Sequence, residues 1–177
     1  MEPSADTFDA MVEACRPRVY RAACLLLDDP HEAEDITQKV FLDAWRGWSR
    51  FERRSEVFSW LYTILRRACA RHRRQTWWRL FRTKQVGAWS LLDDCATEGP
   101  SPYEATSDSD DRSAVRALLK KLSPSLREVL VLRYVESYSV SGIAQALKIP
   151  EGTVKSRIHY ALEVAAKRWR EEEKHET

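Results

Sequence analysis

The chain has 177 residues, 44% of them hydrophobic and 32% charged, with a formal net charge of +2, enough apolar matter for one core or two small ones. No apolar run approaches the roughly 18 residues that cross a bilayer, and the N-terminus MEPSADTFDA lacks a basic-then-apolar leader pattern, so a cytoplasmic protein is expected. The cysteines Cys15, Cys24, Cys69 and Cys95 form no CxxC pair, and nothing completes a four-ligand set around the Cys69-x2-His72 spacing, so no disulfide framework, metal or other cofactor is expected.

With only five glycines, and apolar residues recurring at helical spacing with no strand-like alternation, the fold class is all-α. A first helix spans about Thr7 to Leu27, turning Phe8, Met11, Val12, Val19 and Leu26 inward until Asp28-Asp29-Pro30 stops it. A second runs from about His31 to Trp48 with Ile36, Val40, Phe41, Ala44 and Trp45 on its face. After the irregular stretch Ser49 to Val57, a third covers about Phe58 to Arg74. These three helices can enclose one core and define a first domain, residues 1–84.

From Gln85 to Asp111 there are seven acidic residues and no basic one. Clustered Ser and Thr and two prolines complete a composition that buries too little to offset ordering entropy, so residues 85–111 read as an acidic flexible linker. A second domain, residues 112–177, begins with Val115, Leu118, Leu119 and Leu122 on one helical face. Pro124 suits a first turn and Ser125-x-x-Glu128 matches a capping box, which opens a helix to about Val135. Ser139 caps a short helix through Leu147, and Lys148-Ile149-Pro150 turns the chain into a last helix from Glu151 to about Arg170.

Those last two helices have the lengths and tight turn of a helix-turn-helix. Ile143, Ala144 and Leu147 face Val154, Ile158, Ala161 and Ala165, and this packing leaves Thr153, Lys155, Ser156, Arg157, His159 and Tyr160 outward at the start of the last helix. A recognition helix reads base edges from its N-terminal turns. Lys155 suits guanine and Ser156 either role with a base, while Thr153 and Arg157 suit phosphate. The competing reading is a solvated helix face.

Charge is arranged in blocks. Residues 1–45 carry 4 basic and 10 acidic side chains, residues 46–84 carry 12 and 2, and residues 112–177 carry 13 and 8. The strongly basic block is the natural partner of a polyanion. Within it, nine arginines alternate with Trp60, Tyr62, Trp77 and Trp78 from Phe51 to Arg82, a mixture suited to single-stranded nucleic acid, whose phosphates meet guanidinium groups and whose bases stack on rings. Trp60, Leu61, Ile64 and Leu65 also fit a core.

Two stretches, AEDITQKVFLDAW with FSWLYTILRRACARHRR and LSPSLREVLVLRYVESYSVSGIAQALKIPEGTVKSRIHYAL, resemble regions 2 and 4 of extracytoplasmic-function sigma factors, the small two-domain group of the sigma-70 family. The resemblance implies an alternative sigma factor that joins bacterial core RNA polymerase and directs it to promoters. Asp35, Gln38 and Phe41 would dock on the polymerase. Arg50, Phe51, Arg53, Arg54, Ser55, Trp60, Tyr62, Arg66, Arg67, Arg71 and Arg74 would bind and melt the minus-10 element. Thr153, Lys155, Ser156, Arg157, His159 and Tyr160 would read the minus-35 element.

An anti-sigma factor is a further implied partner, alongside duplex and melted promoter DNA. Glu52 to Glu56 stand where many relatives carry an Arg-Gly-acidic loop, and Val140-Ser141-Gly142 replaces a common acidic pair, with Gly142 costing a helix about 1 kcal/mol relative to Ala. A sigma-like decoy that sequesters an anti-sigma protein and a stand-alone helix-turn-helix regulator are the competing readings. No enzymatic activity is expected, because His31, His72, His159 and His175 fall in separate elements with no nucleophile motif.

Overall fold

The computed structural model describes residues 5–27, 29–51, 56–85 and 109–173. Within them every regular element is helical: α1 (Ala5–Leu26), α2 (Pro30–Gly47), a 3-10 turn (Trp48–Arg50), α3 (Val57–Gln85), α4 (Ser109–Lys120), α5 (Pro124–Leu130) running into a π turn (Val131–Val135), α6 (Val140–Leu147) and α7 (Glu151–Glu173). Helical periodicity thus predicts the fold class correctly. Most of the acidic stretch assigned to a linker, residues 86–108, lies outside the described residues, and so do Arg53, Arg54, Ser55 and Cys95. The end of that stretch, Ser109 to Asp111, opens α4; acidic side chains suit a helix N-terminus, where the dipole is positive.

Helices α1, α2 and α3 pack around Phe8, Met11, Val19, Leu26, Ile36, Val40, Phe58, Leu61 and Leu65, all buried. Asp29 caps α2, its carboxylate accepting from the backbone amides of His31 (2.7 Å) and Glu32 (3.4 Å), with Pro30 at the first helical position. Helix α3 is longer than expected. It continues eleven residues beyond Arg74 to Gln85 because no glycine or proline interrupts it.

The second group centres on Val129, Leu130, Val131, Leu132, Ile143, Leu147, Val154 and Ala161, again buried, with α5 and α6 against α7. Ser139 caps α6 as expected, accepting from the Gly142 amide at 3.0 Å. The glycine there has a steric reason: a Cβ at Gly142 would stand 3.1 Å from the Tyr138 ring and 3.3 Å from the Ser139 hydroxyl.

The expected capping box at Ser125 and Glu128 is not formed. Ser123 occupies the cap position of α5 without a side-chain bond, and Glu128 accepts instead from Arg66 Nε at 3.1 Å, across 62 residues of sequence. The two helical groups meet along this seam, and their buried apolar residues form one continuous cluster.

Candidate nucleic-acid interface

The helix-turn-helix is set by a left-handed residue at the end of α6. Lys148 has φ 54° and the Ile149 amide returns to the Ala144 carbonyl at 3.1 Å, a reversal that ends one helix and aims the next. Val154 and Ala161 are fully buried and Ala165 nearly so, so α7 cannot rotate. What remains outward at its start is Lys155, Ser156, His159 and Tyr160, all exposed, with Thr153 and Arg157 half-buried at the flanks. Ser156 donates to the Thr153 carbonyl (3.1 Å), leaving its oxygen able to accept. His159 pairs with Glu163 at 3.4 Å; both groups are solvated, and such pairs contribute little.

In the basic helix α3, helical phase sorts the predicted residues into two sets. Arg67, Arg71 and Arg74 are exposed, and Trp78, 53% exposed, continues the same stripe at i, i+4, i+7 and i+11. Trp77 stands edge-on to Trp78 with ring centroids 5.2 Å apart. Arg66 lies to one side, held by Glu128. Trp60 is half-buried, its ring stacked on Phe51 at 4.7 Å, and Phe51 in turn stacks on the buried Trp48 at 5.7 Å. Arg50 is exposed on the adjoining 3-10 turn.

Tyr62 is a correction. Expected among the DNA-contacting rings, it is 0% exposed, because position 62 shares its helical phase with Phe58, Leu65 and Cys69 in the core. It cannot reach a base in this conformation. Cys69 lies on the same buried side, and burial pushes its thiol up to about 12 from the ordinary 9.0. His72, the other half of the candidate metal pair, meets Glu32 at 2.9 Å.

A measurable consequence follows from the sign of the Cys69 shift. Well below pH 9 the thiol is protonated whether the chain is folded or not; from about a unit below 9 up to about 12 the unfolded chain ionises far more than the folded one, so stability is lost as pH rises through that window. Native protein treated with iodoacetamide at pH 8 is expected to leave Cys69 unmodified in a peptide map, whereas denatured protein is labelled there. Labelling of Cys69 in the folded chain would show that it is not enclosed.

Helix α2 presents a third face. Asp35 and Gln38 are exposed, and the same stripe continues with Leu42 (59% exposed) and Trp45 (51%), at spacings of three, four and three. Phe41 is half-buried beside it. Leu42 was not among the expected docking residues, although its phase with Asp35 and Gln38 marks it. Two exposed apolar side chains thus extend an otherwise polar stripe.

Two helical groups, one with a cationic aromatic stripe and one with a helix-turn-helix, define a two-module nucleic-acid-binding protein. The chain matches the family models Sigma-70 region 2 over residues 11–79 and Sigma-70 region 4 over residues 112–163. It is 32% identical to the ECF RNA polymerase sigma factor SigL of Mycobacterium tuberculosis, over 81% of this chain and 78% of that one. It is also 31% identical to the RNA polymerase sigma-E factor of Streptomyces coelicolor, over 88% and 81%.

Among solved structures it resembles the sigma factor RpoE of Bartonella quintana, in complex with the anti-sigma factor NepR, with a TM-score of 0.72 and 25% identity over 92% of this chain and 96% of that one. The chain belongs to the sigma-70 family, in its extracytoplasmic-function group: an alternative sigma factor, which directs core RNA polymerase to promoters. Among the described residues no helix is long and apolar enough to cross a membrane.

Proposed function

We propose that the three exposed faces divide the work of promoter-specific initiation. The α2 stripe, Asp35, Gln38, Phe41 and Leu42, docks on the core polymerase. The basic module, residues 1–84, binds and melts the minus-10 element through Arg50, Phe51, Arg53, Arg54, Ser55, Trp60, Arg66, Arg67, Arg71 and Arg74. The module of residues 112–177 reads the minus-35 element through Thr153, Lys155, Ser156, Arg157, His159 and Tyr160, and the acidic segment 85–111 joins the two.

The observation that carries this reading is the exposed run Arg67, Arg71, Arg74 and Trp78 on a single stripe: a row of cations ending on an aromatic side chain suits a melted strand. Extruding a base costs a few kcal/mol, which that stripe offsets by binding alone. The protein therefore acts by binding and not by bond chemistry, in the cytoplasm where polymerase works. A decoy that only captures an anti-sigma protein has no use for such a stripe. Because a sigma factor of similar structure was solved with its anti-sigma factor, we infer that this chain is also held by an anti-sigma protein.

The test is run-off transcription from a promoter library with core polymerase, with and without the protein. Core-dependent initiation at a defined promoter set is expected, and its absence with folded protein would sink the proposal. Asp35→Ala and Gln38→Ala should each weaken core binding by about five- to thirtyfold, the effect of a contact contributing about 1–2 kcal/mol, and leave promoter preference unchanged.

A further inference from the structure

Helix α3 outruns its own core. Among the described side chains Cys69 is the last one buried on it, yet the helix continues to Gln85, about 24 Å further at about 1.5 Å per residue. That projecting end carries two large rings, Trp77 (56% exposed) and Trp78 (53%), among a run of cations. From Arg71 to Lys84 the chain has six Arg or Lys and no Asp or Glu.

Several arginines elsewhere are neutralised within the chain: Arg16 pairs with Glu34 at 2.9 Å, Arg46 with Asp43 at 3.2 Å and Arg66 with Glu128 at 3.1 Å. Among the described residues no carboxylate pairs with Arg71, Arg73 or Arg74. Their counter-charge has to come from outside, and an extended anionic surface supplies it.

A melted strand uses only part of this end. Arg67, Arg71, Arg74 and Trp78 share a stripe, whereas Trp77 stands about 100° round the helix from Trp78 and meets it edge-on, with the ring planes at 80°. Successive bases stack face to face, so a strand seated on one ring meets only the edge of the other. A bilayer interface makes no such demand. Tryptophan settles at headgroup depth through its apolar body and polar N–H, with no need for two rings to be parallel. In sequence, Leu80 and Phe81 follow Trp77 at i+3 and i+4, with Arg79 and Arg82 beside them, the composition of helices that lie on anionic membranes.

We propose that the end of α3, Arg71 to Lys84, is a docking site for an anionic bilayer surface, with Trp77 and Trp78 seated among the headgroups and Arg71, Arg73 and Arg74 on lipid phosphates. The attachment is peripheral, since no described helix can cross a membrane. Vesicle binding stands apart from the promoter-reading function proposed above. One consequence rests on that function: Arg71, Arg74 and Trp78 serve both surfaces, so a bilayer and a melted strand exclude each other.

The test is flotation of the full chain, without polymerase or nucleic acid, on vesicles of phosphatidylglycerol and phosphatidylcholine in equal parts and on vesicles of phosphatidylcholine alone. The chain should float with the first and not with the second, and added salt should release it. Trp77→Ser/Trp78→Ser should weaken partitioning about tenfold, and Arg79→Gln/Arg82→Gln/Lys84→Gln about a hundredfold. Helical content by circular dichroism should be unchanged, because the two rings are exposed. No flotation on the anionic vesicles at low salt would overturn the site. Undiminished flotation of the folded tryptophan variant would overturn it too, and loss of oligonucleotide binding in that variant would then give both rings to the melted strand. Failure of the promoter reading would leave every one of these outcomes in place.

Discussion

Tyr62→Ala is expected to cost about 3–5 kcal/mol of stability, while Tyr62→Phe should be neutral or stabilising by about 1 kcal/mol. Among the described residues Tyr62 is the largest fully buried side chain, and its ring lies 6.1 Å from that of Phe58 in the centre of the first module. Truncation therefore opens a cavity that neighbouring side chains of three helices cannot fill. The hydroxyl has the opposite value. It is enclosed with no hydrogen-bond partner among the described residues, and burial holds its proton well above the ordinary tyrosine range, the state expected of a polar group that lost water and gained nothing.

Urea unfolding resolves the two substitutions: the midpoint should fall steeply for alanine and hold or rise for phenylalanine, with an unchanged slope in both. A loss of more than about 1 kcal/mol on removing the hydroxyl would show that it makes a bond. Folded Tyr62→Phe should transcribe normally, since the side chain faces away from DNA.

Tyr62 also shows where the sequence was legible and where it was not. Counting rings among arginines from Phe51 to Arg82 is a compositional reading, blind to phase. Position 62 is in step with Phe58, Leu65 and Cys69, whereas Arg67, Arg71, Arg74 and Trp78 are in step with one another, so the correct sorting was available from periodicity alone. The helix-turn-helix was read more accurately because its evidence is local: Ser139 caps the helix it begins, and Ile143, Leu147, Val154 and Ala161 mark the buried faces of two adjacent helices.

Nonlocal partners were not legible. Ser125-x-x-Glu128 has the spacing of a capping box, yet Glu128 turns to Arg66, a choice decided by tertiary packing and invisible to a four-residue pattern. Glu136 looks like an ordinary loop carboxylate until α1 brings Arg18 and Arg21 against it.

The other large effect is expected at the start of α7, where Lys155→Ala and Ser156→Ala should together abolish minus-35 selectivity. A base contact in the major groove contributes about 1–3 kcal/mol of discrimination, or roughly five- to 150-fold. The geometry limits which residues can do this. Val154 and Ala161 are sealed against α6 and α5, so under the proposed function the helix would meet a groove with Lys155, Ser156 and His159 foremost and Arg157 and Thr153 toward the flanking backbones. Lysine donates, as guanine O6 and N7 require; serine has its proton committed to the Thr153 carbonyl, which biases its oxygen toward accepting from a base amino group.

Arg157→Ala should behave differently, weakening binding to all sequences alike and lowering the salt dependence, because a phosphate contact carries affinity without sequence information. Electrophoretic shift and run-off assays on minus-35 variants, performed with holoenzyme so that the modules are held apart, separate the two outcomes. If Lys155→Ala/Ser156→Ala weakened every promoter equally while Arg157→Ala altered the preferred sequence, the groove would be read from the flank of α7 and the assignment of its face would have to be rotated by about 100° per residue.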